Sequence, residues 1–265
     1  MQFELPKKLW EVASKKLSDS VYKGPGSLGG RPSSDFKQVL TGIFYWARTG
    51  CQVENIPSEF SSPSTIKRYL YRWIGSGVFE EIWREALKLY DDEIGIDWKW
   101  QSIDGATKKS PYCKEEAGPN PTDRARPGTK ISILTDKNGI PLSAVIAPAN
   151  RHDSRLLEKT LEAILIERAS PADQKQNLCA DKAYDSWLCR EIVNEWGLVD
   201  HIRSRGEEIK QKKKKRFKPK RWVVERTHGW LNGFRGVFVR WVRSAETYRA
   251  FVALAAVKLI LCKLK

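Results

Sequence analysis

The sequence has no C-x-x-C pair, and its five cysteines, Cys51, Cys113, Cys179, Cys189 and Cys262, are odd in number and scattered. That pattern excludes a disulfide scaffold and argues against a thiolate zinc site. The opening MQFELPKKLWEV lacks the basic-then-apolar order of a secretory signal. A membrane span is missing too. The apolar stretch from Ala245 to Lys265 is broken by Glu246, Arg249, Lys258 and Lys263, well short of the ~20 apolar residues needed to cross a bilayer. It reads as the buried helix of a soluble protein with no membrane partner. Acid is also scarce: 32 Asp+Glu face 47 Lys+Arg over 265 residues, a formal net charge of +15. Yet 41% of the residues are hydrophobic, with eleven tryptophans, so this is not a disordered polybasic tail. The length suits one large domain or two modest ones, each with its own core.

What is present is positive charge in one place. Between Ile202 and Arg243 stand 15 Lys+Arg against three acids, Glu207, Glu208 and Glu225. The densest run, Lys212, Lys213, Lys214, Lys215, Arg216 and on to Arg221 (KKKKRFKPKR), self-repels and stays extended until a polyanion neutralises it. An isolated run of this kind is as readily a solvated or localisation-type loop. Here it leads straight into an amphipathic helix carrying a lone acid, which favours a nucleic-acid surface.

Residues 1–94 read as helices separated by glycine and proline: Pro6 to Leu17, then a loop from Val21 to Pro32, then Ser34 to Thr49, capped by Ser33 or Ser34 and closed by Gly50. A third helix runs from Ser64, its N-cap, to Ile74, and a fourth from Val78 to Tyr90. Lys67, Arg68, Tyr69 and Arg72 on the third suggest a helix-turn-helix DNA reader, although small bundles with basic faces are common. From Trp98 the pattern changes. WQSIDGATK, TKISILTD and PLSAVIAPAN read as three consecutive antiparallel strands, the last two joined by a turn at Lys137-Asn138-Gly139. A helix from Asp153 to Ile166, a strand at NLCA (177–180), a helix from Ser186 to Trp196 and a strand from Val199 to Arg203 follow. This order is an α/β layer arrangement with a mixed sheet.

Two carboxylates end strands: Asp104 after Trp100-Gln101-Ser102-Ile103, with Gly105 next, and Asp181 after NLCA. Strand ends present functional groups, but either Asp alone is as well explained as a cap or turn residue. Glu225 adds weight. At 100° per residue, Arg221, His228 and Asn232 share its side of a helix while Val223, Trp230, Leu231 and Phe234 gather opposite as a core face. Glu225 flanked by Arg221 and Arg226 could be a surface ion pair of little value. Three converging carboxylates would instead offer the hard oxygen ligands that magnesium takes, and would repel one another without a cation.

At this point the residues resemble a known family: bacterial insertion-sequence transposases of the DDE type, of the insertion-sequence-five family. The stretches that carry the likeness are SIDGATKK, GPNPTDRARPGTKISILTDKNGIPL, ANRHDSRLLE, LCADKAYDS, HIRSRGEE and RWVVERTHGWLNGFR. GGRPSSDFKQVLTGIFYWARTGCQVENIP looks like the helical domain that precedes the catalytic core there. Their number and order cover nearly the whole chain.

The resemblance implies a ribonuclease-H-like core over 95–265, preceded by a helical end-recognition domain over 1–94, with the basic segment 203–221 before the glutamate helix. It implies that Asp104, Asp181 and Glu225 are catalytic and hold two magnesium ions, with manganese as a substitute. The arginine four residues before the glutamate is matched by Arg221. Seven residues after it stands Asn232, where the related insertion-sequence-four pattern carries lysine. Of the paired arginines that often follow the glutamate helix, Arg235 is kept and Gly236 takes the second place. The tract, Arg221, Arg226 and Arg235 would hold phosphates, and the N-terminal helices would read terminal inverted repeats. The partners implied are double-stranded DNA, as element ends and target, and a second copy of the chain; the place implied is the bacterial cytoplasm, at the nucleoid.

His152 and Asp153 follow the third strand and either approach the site or, for Asp153, cap a helix. His228 faces the Glu225 side and is a candidate phosphate contact, whereas His201, on a strand, reads as structural. The tryptophans read mostly as core, although one could stack on an unpaired base. Two rival functions stay open: a DNA-binding repressor without catalysis, and a host nuclease with the same core but no joining step.

Overall fold

A computed structural model describes residues 3–19, 34–202 and 222–264. The loop expected at 21–32 and the basic run with Lys212, Lys213, Lys214, Lys215, Arg216 and Arg221 lie outside the described residues.

Four helices come first: α1 (Lys7–Asp19), α2 (Phe36–Thr49), α3 (Pro63–Gly75) and α4 (Val78–Glu93). Their N-caps differ from the expected ones. α2 is capped by Asp35, whose carboxylate accepts from the Lys37 and Gln38 amides, not by Ser33 or Ser34. α3 is capped by Ser62, accepting from the Thr65 amide, not by Ser64. Pro63 lacks the N–H that the first helical position leaves unused, so it opens the helix and the cap moves ahead of it. Residues 50–62 join α2 to α3 through two 3-10 turns, a longer connection than the three or four residues of a compact helix-turn-helix.

The sheet follows: β1 (Trp100–Lys109), the two-residue β2 (Gly118–Pro119), β3 (Pro127–Thr135) and β4 (Pro141–Pro148), then α5 (Leu157–Glu162), β5 (Gln176–Ala180), α6 (Trp187–Glu195) and β6 (Leu198–Ile202). β3 lies antiparallel to both β1 and β4, as expected from the sequence, and β5 and β6 add in parallel on the other side of β1. β2 extends the β3 edge. The helix expected from Asp153 to Ile166 is shorter: a 3-10 turn at Asp153–Arg155, then α5 ending at Glu162. The main order β4-β3-β1-β5-β6, three antiparallel strands then two parallel ones with helical crossovers, is the ribonuclease-H-like arrangement.

The chain ends in α7 (Trp222–Leu231), the short α8 (Arg235–Phe238) and α9 (Ala245–Leu261). α9 is apolar around its whole circumference and is buried along nearly all its length, as a helix of that composition must be. It lies among α1–α4, α7, α8 and β4, so one continuous core joins the helical layer to the sheet. Among the described residues no helix is long and apolar enough to cross a membrane, and all five cysteines are free thiols. Arg240 is fully buried and, among the described residues, its guanidinium donates to the carbonyls of Glu116, Val242 and Arg243 and to the Thr129 hydroxyl, tying the strand region to the start of α9.

Candidate active site

β1 and β5 are neighbours in parallel register, with Trp100 opposite Asn177 and Ser102 opposite Cys179. Continued by two residues past the last pair, that register brings Asp104, within β1, level with Asp181, the residue that follows β5; β1 itself does not end at Asp104, as expected from the sequence, but runs on to Lys109 along β3. Local bonds orient both. The Asp104 carboxylate accepts from the Gly105 amide at 2.9 Å, and Asp181 caps the 3-10 turn Lys182–Tyr184, accepting from the Lys182 amide.

Glu225 arrives from the other direction. α7 packs on β1 and β3, and its His228 donates Nε2–H to the Asp104 backbone carbonyl at 3.3 Å. Glu225 sits three residues before His228, in the first turn of the helix, and is exposed. Residues three apart lie on one helix face, so Glu225 shares the side of α7 from which His228 docks on Asp104. Burial, then the charge of Lys108, lowers the His228 pKa to about 4, opposed by the bond to Asp104. His228 is therefore a neutral, buried clamp on the strand and not a cationic phosphate contact.

A layer beneath Asp104 went unread in the sequence. A side chain on Gly105 would collide with the Asp153 carboxylate, which pairs with Lys130 Nζ at 3.0 Å; only glycine lets that pair approach. Tyr184, three residues after Asp181, is fully buried. Burial raises its pKa well above the usual phenol value, and the Asp153 and Asp104 charges raise it further, so the phenol stays protonated beside them. The spacing D-x-x-Y was the available signal. Asp153 thus packs on the Gly105 face of β1, opposite the face that carries the Asp104 side chain, while exposed His152 supplies the cap of the following turn through Nδ1 and bonds the Ser154 hydroxyl at 2.8 Å.

An oxygen-only donor set on a rigid sheet and a docked helix suits a hard divalent cation by its chemistry. Among the described residues no three His, Cys, Asp or Glu side chains are gathered tightly enough to form a ready cage. The three carboxylates are aligned by their elements but not drawn together.

The chain matches the family model "Transposase DDE domain" over residues 95–260. It belongs to the DDE transposase family. Residues 5–83 match the model "Putative transposase of IS4/5 family", and among curated relatives the "Putative transposase for insertion sequence element IS402" of Burkholderia cepacia is 40% identical over 146 residues, 54% of this chain and 67% of that protein. Solved structures with some likeness include a piggyBac transposase synaptic complex with hairpin DNA (TM-score 0.43, 9% identity, 98% of this chain and 73% of that one). The catalytic domain of Mos1 mariner transposase is another (TM-score 0.30, 10% identity, 74% and 94%). The protein is a DDE transposase, an enzyme of a class that uses divalent metal.

The other candidate residues of this transposase are spread over its surface. Arg68 and Arg72 are exposed and both lie over the Tyr69 ring at 5.3 Å; Lys67 pairs with Glu54 at 3.2 Å. Arg235 is exposed at the start of α8. Arg226 is committed within the protein: it lies between the Trp222 and Trp230 rings, 4.4 and 4.5 Å from their centroids, and donates to the Asn138 carbonyl at 2.8 Å. Trp230, expected on the core face, is exposed instead, with Lys263 Nζ 4.3 Å above its ring. The buried stripe of α7 is Val223, Val224, Thr227, His228 and Leu231. Asn232 is half-buried and accepts a hydrogen bond from Lys108. His201 bonds Asn177 Oδ1 at 2.9 Å within the sheet.

Proposed function

We propose that this transposase binds the terminal inverted repeats of its element, cleaves the ends by hydrolysis and joins the freed 3′-hydroxyls to target DNA by transesterification. The observation that supports the reading is the parallel pairing of β1, which carries Asp104, with β5, which leads into Asp181, together with the Glu225 helix fastened to β1 through His228. Those three carboxylates would hold divalent metal, magnesium or manganese. When bound, two such ions activate an attacking oxygen and stabilise the leaving one.

The chain's own groups do the rest. Asp104 and Asp181 present oxygens from a rigid sheet, and Glu225 closes the set from the helix that His228 pins. In cleavage, a water oxygen bonds to phosphorus and gives a proton to solvent, the bond from phosphorus to the DNA 3′-oxygen breaks, and that oxygen takes up a proton from solvent to leave as a 3′-hydroxyl beside a 5′-phosphate. In joining, that hydroxyl attacks a target phosphodiester and releases a target 3′-hydroxyl, so no covalent enzyme intermediate is needed. Residues 1–94, with Lys67, Arg68 and Arg72, would read the ends; Arg235 and the tract with Arg221 would hold phosphates; two copies of the chain would pair two ends.

The deciding experiment uses labelled DNA carrying the repeats that flank this coding sequence, intact or pre-cut, with and without magnesium. Metal-dependent nicking of intact ends and joining of pre-cut ones are expected. Nicking without joining would make the protein a nuclease, and tight end binding with neither product would make it a repressor.

Charge in the tract has its own readout. Exchanging Lys212, Lys213, Lys214 and Lys215 for glutamine should flatten the log-affinity against log-salt slope by roughly three to four units, about 0.9 for each phosphate no longer neutralised. An unchanged slope would return the run to a solvated loop.

A further inference from the structure

Lys108 is 5% exposed, a rare setting for an ammonium. It follows Asp104 by four residues on β1, so with Ala106 the two share one face of the strand. That face is the one α7 covers: His228 reaches the Asp104 carbonyl, and one turn later Asn232 Oδ1 accepts from Lys108 Nζ. Among the described residues the bonded partner of Lys108 is thus a neutral amide and not a carboxylate. Burial alone lowers its pKa, to about 8, and its own charge helps to keep neighbouring His228 neutral. At neutral pH the ammonium is still the main form.

A buried cation without an anion is costly, and a chain gains stability by replacing it with an apolar residue of similar volume. Retaining one beside the carboxylates therefore calls for an anion that arrives later. Asn232 does not neutralise Lys108; it aims it. Asn232, one residue past the C-terminal end of α7, is itself half-exposed, so its bond to Lys108 lies near the surface.

We infer that Lys108 is a phosphate-binding residue of the active site, held by Asn232 to neutralise a DNA phosphate flanking the scissile one. The inference rests on the proposed DNA chemistry and names the strand residue that grips the substrate next to the cut. It also gives Asn232 a role: the amide carbonyl orients a cation supplied by β1.

The test is Lys108→Met, read three ways with end DNA. In a metal-free salt titration, the slope of log affinity against log salt should fall by about 0.9, one phosphate contact. Single-turnover cleavage in magnesium should fall about 10- to 100-fold. The melting temperature should hold or rise, because the unpaired charge is gone. Asn232→Asp gives a second variant should Lys108→Met fail to fold: a carboxylate against the ammonium supplies the missing anion, and should lower both slope and cleavage in a folded protein. An unchanged slope with undiminished cleavage, or a loss of melting temperature alone, would make Lys108 a structural residue and overturn the inference. Should the wild type bind ends yet cut nothing, the transposition chemistry fails while the salt slope still decides the phosphate contact.

Discussion

Asp104→Asn, Asp181→Asn and Glu225→Gln should each lower magnesium-dependent cleavage of end DNA by about a thousandfold, equivalent to about 4 kcal/mol of transition-state stabilisation. Binding to the same DNA without metal should stay within about twofold. The separation follows from where the residues stand. Asp104 stands in the middle of β1 and Asp181 directly after β5, and each takes one backbone amide from its immediate successor; an amide oxygen in the same place can keep that bond, so the isosteric exchange removes charge while sparing the fold. Glu225 is exposed on α7, and the helix is fixed by other members: Val223, Val224 and Leu231 in the core and His228 on the Asp104 carbonyl. Single-turnover cleavage and filter binding on the same preparations check it. Loss of end binding in step with cleavage would mean that the carboxylates support the fold or the grip and not the chemistry.

Much of this site is legible in the amino-acid order alone. β-Rich stretches mark β1, β3 and β4, and Lys137-Asn138-Gly139 marks the turn, where Gly139 sits at φ 85° and Asp136 accepts from the amides of Asn138 and Ile140. Asp181 does follow the end of its strand, but Asp104, expected to end one, lies inside β1, which runs on through Gly105 to Lys109 because its ladder with β3 continues that far. What cannot be read depends on contacts distant in sequence. Nothing near Trp230 shows that Lys263 will cover its ring or that Arg226 will fill the gap to Trp222, so a wheel drawn from hydrophobicity puts that tryptophan inside. His228 looks polar and outward for the same reason. Its burial is set by a backbone carbonyl 124 residues earlier. Gly105 and Asp153 belong to one contact, yet a glycine in a strand signals close approach without saying what approaches.

Gly236→Arg, which would supply the second arginine of the pair common in the family, should unfold or severely destabilise the protein and not tighten its hold on DNA. Gly236 is buried where α8 meets the end of α2. A Cβ there would lie 2.8 Å from the Ala47 carbonyl oxygen, 3.3 Å from the Ala47 Cα and 3.2 Å from the Phe251 ring. Two of those neighbours are backbone and cannot turn aside. The contact is reciprocal. Gly50, which closes α2 at φ 64°, would place its own Cβ 3.0 Å from both the Arg235 carbonyl carbon and the Gly236 nitrogen. Even Gly236→Ala should cost about 1–3 kcal/mol by overpacking, seen as a fall of about 2–4 °C in melting temperature per kcal/mol. Arginine adds the burial of an unpaired charge to the clash. An arginine variant that melts with the wild type and binds ends more tightly would show that the two glycines are not locked together, and that α8 can turn its second residue to DNA. The geometry gives the opposite expectation: the glycine holds the helical layer against the segment that carries Arg235, which leaves Arg235 as the arginine exposed on α8.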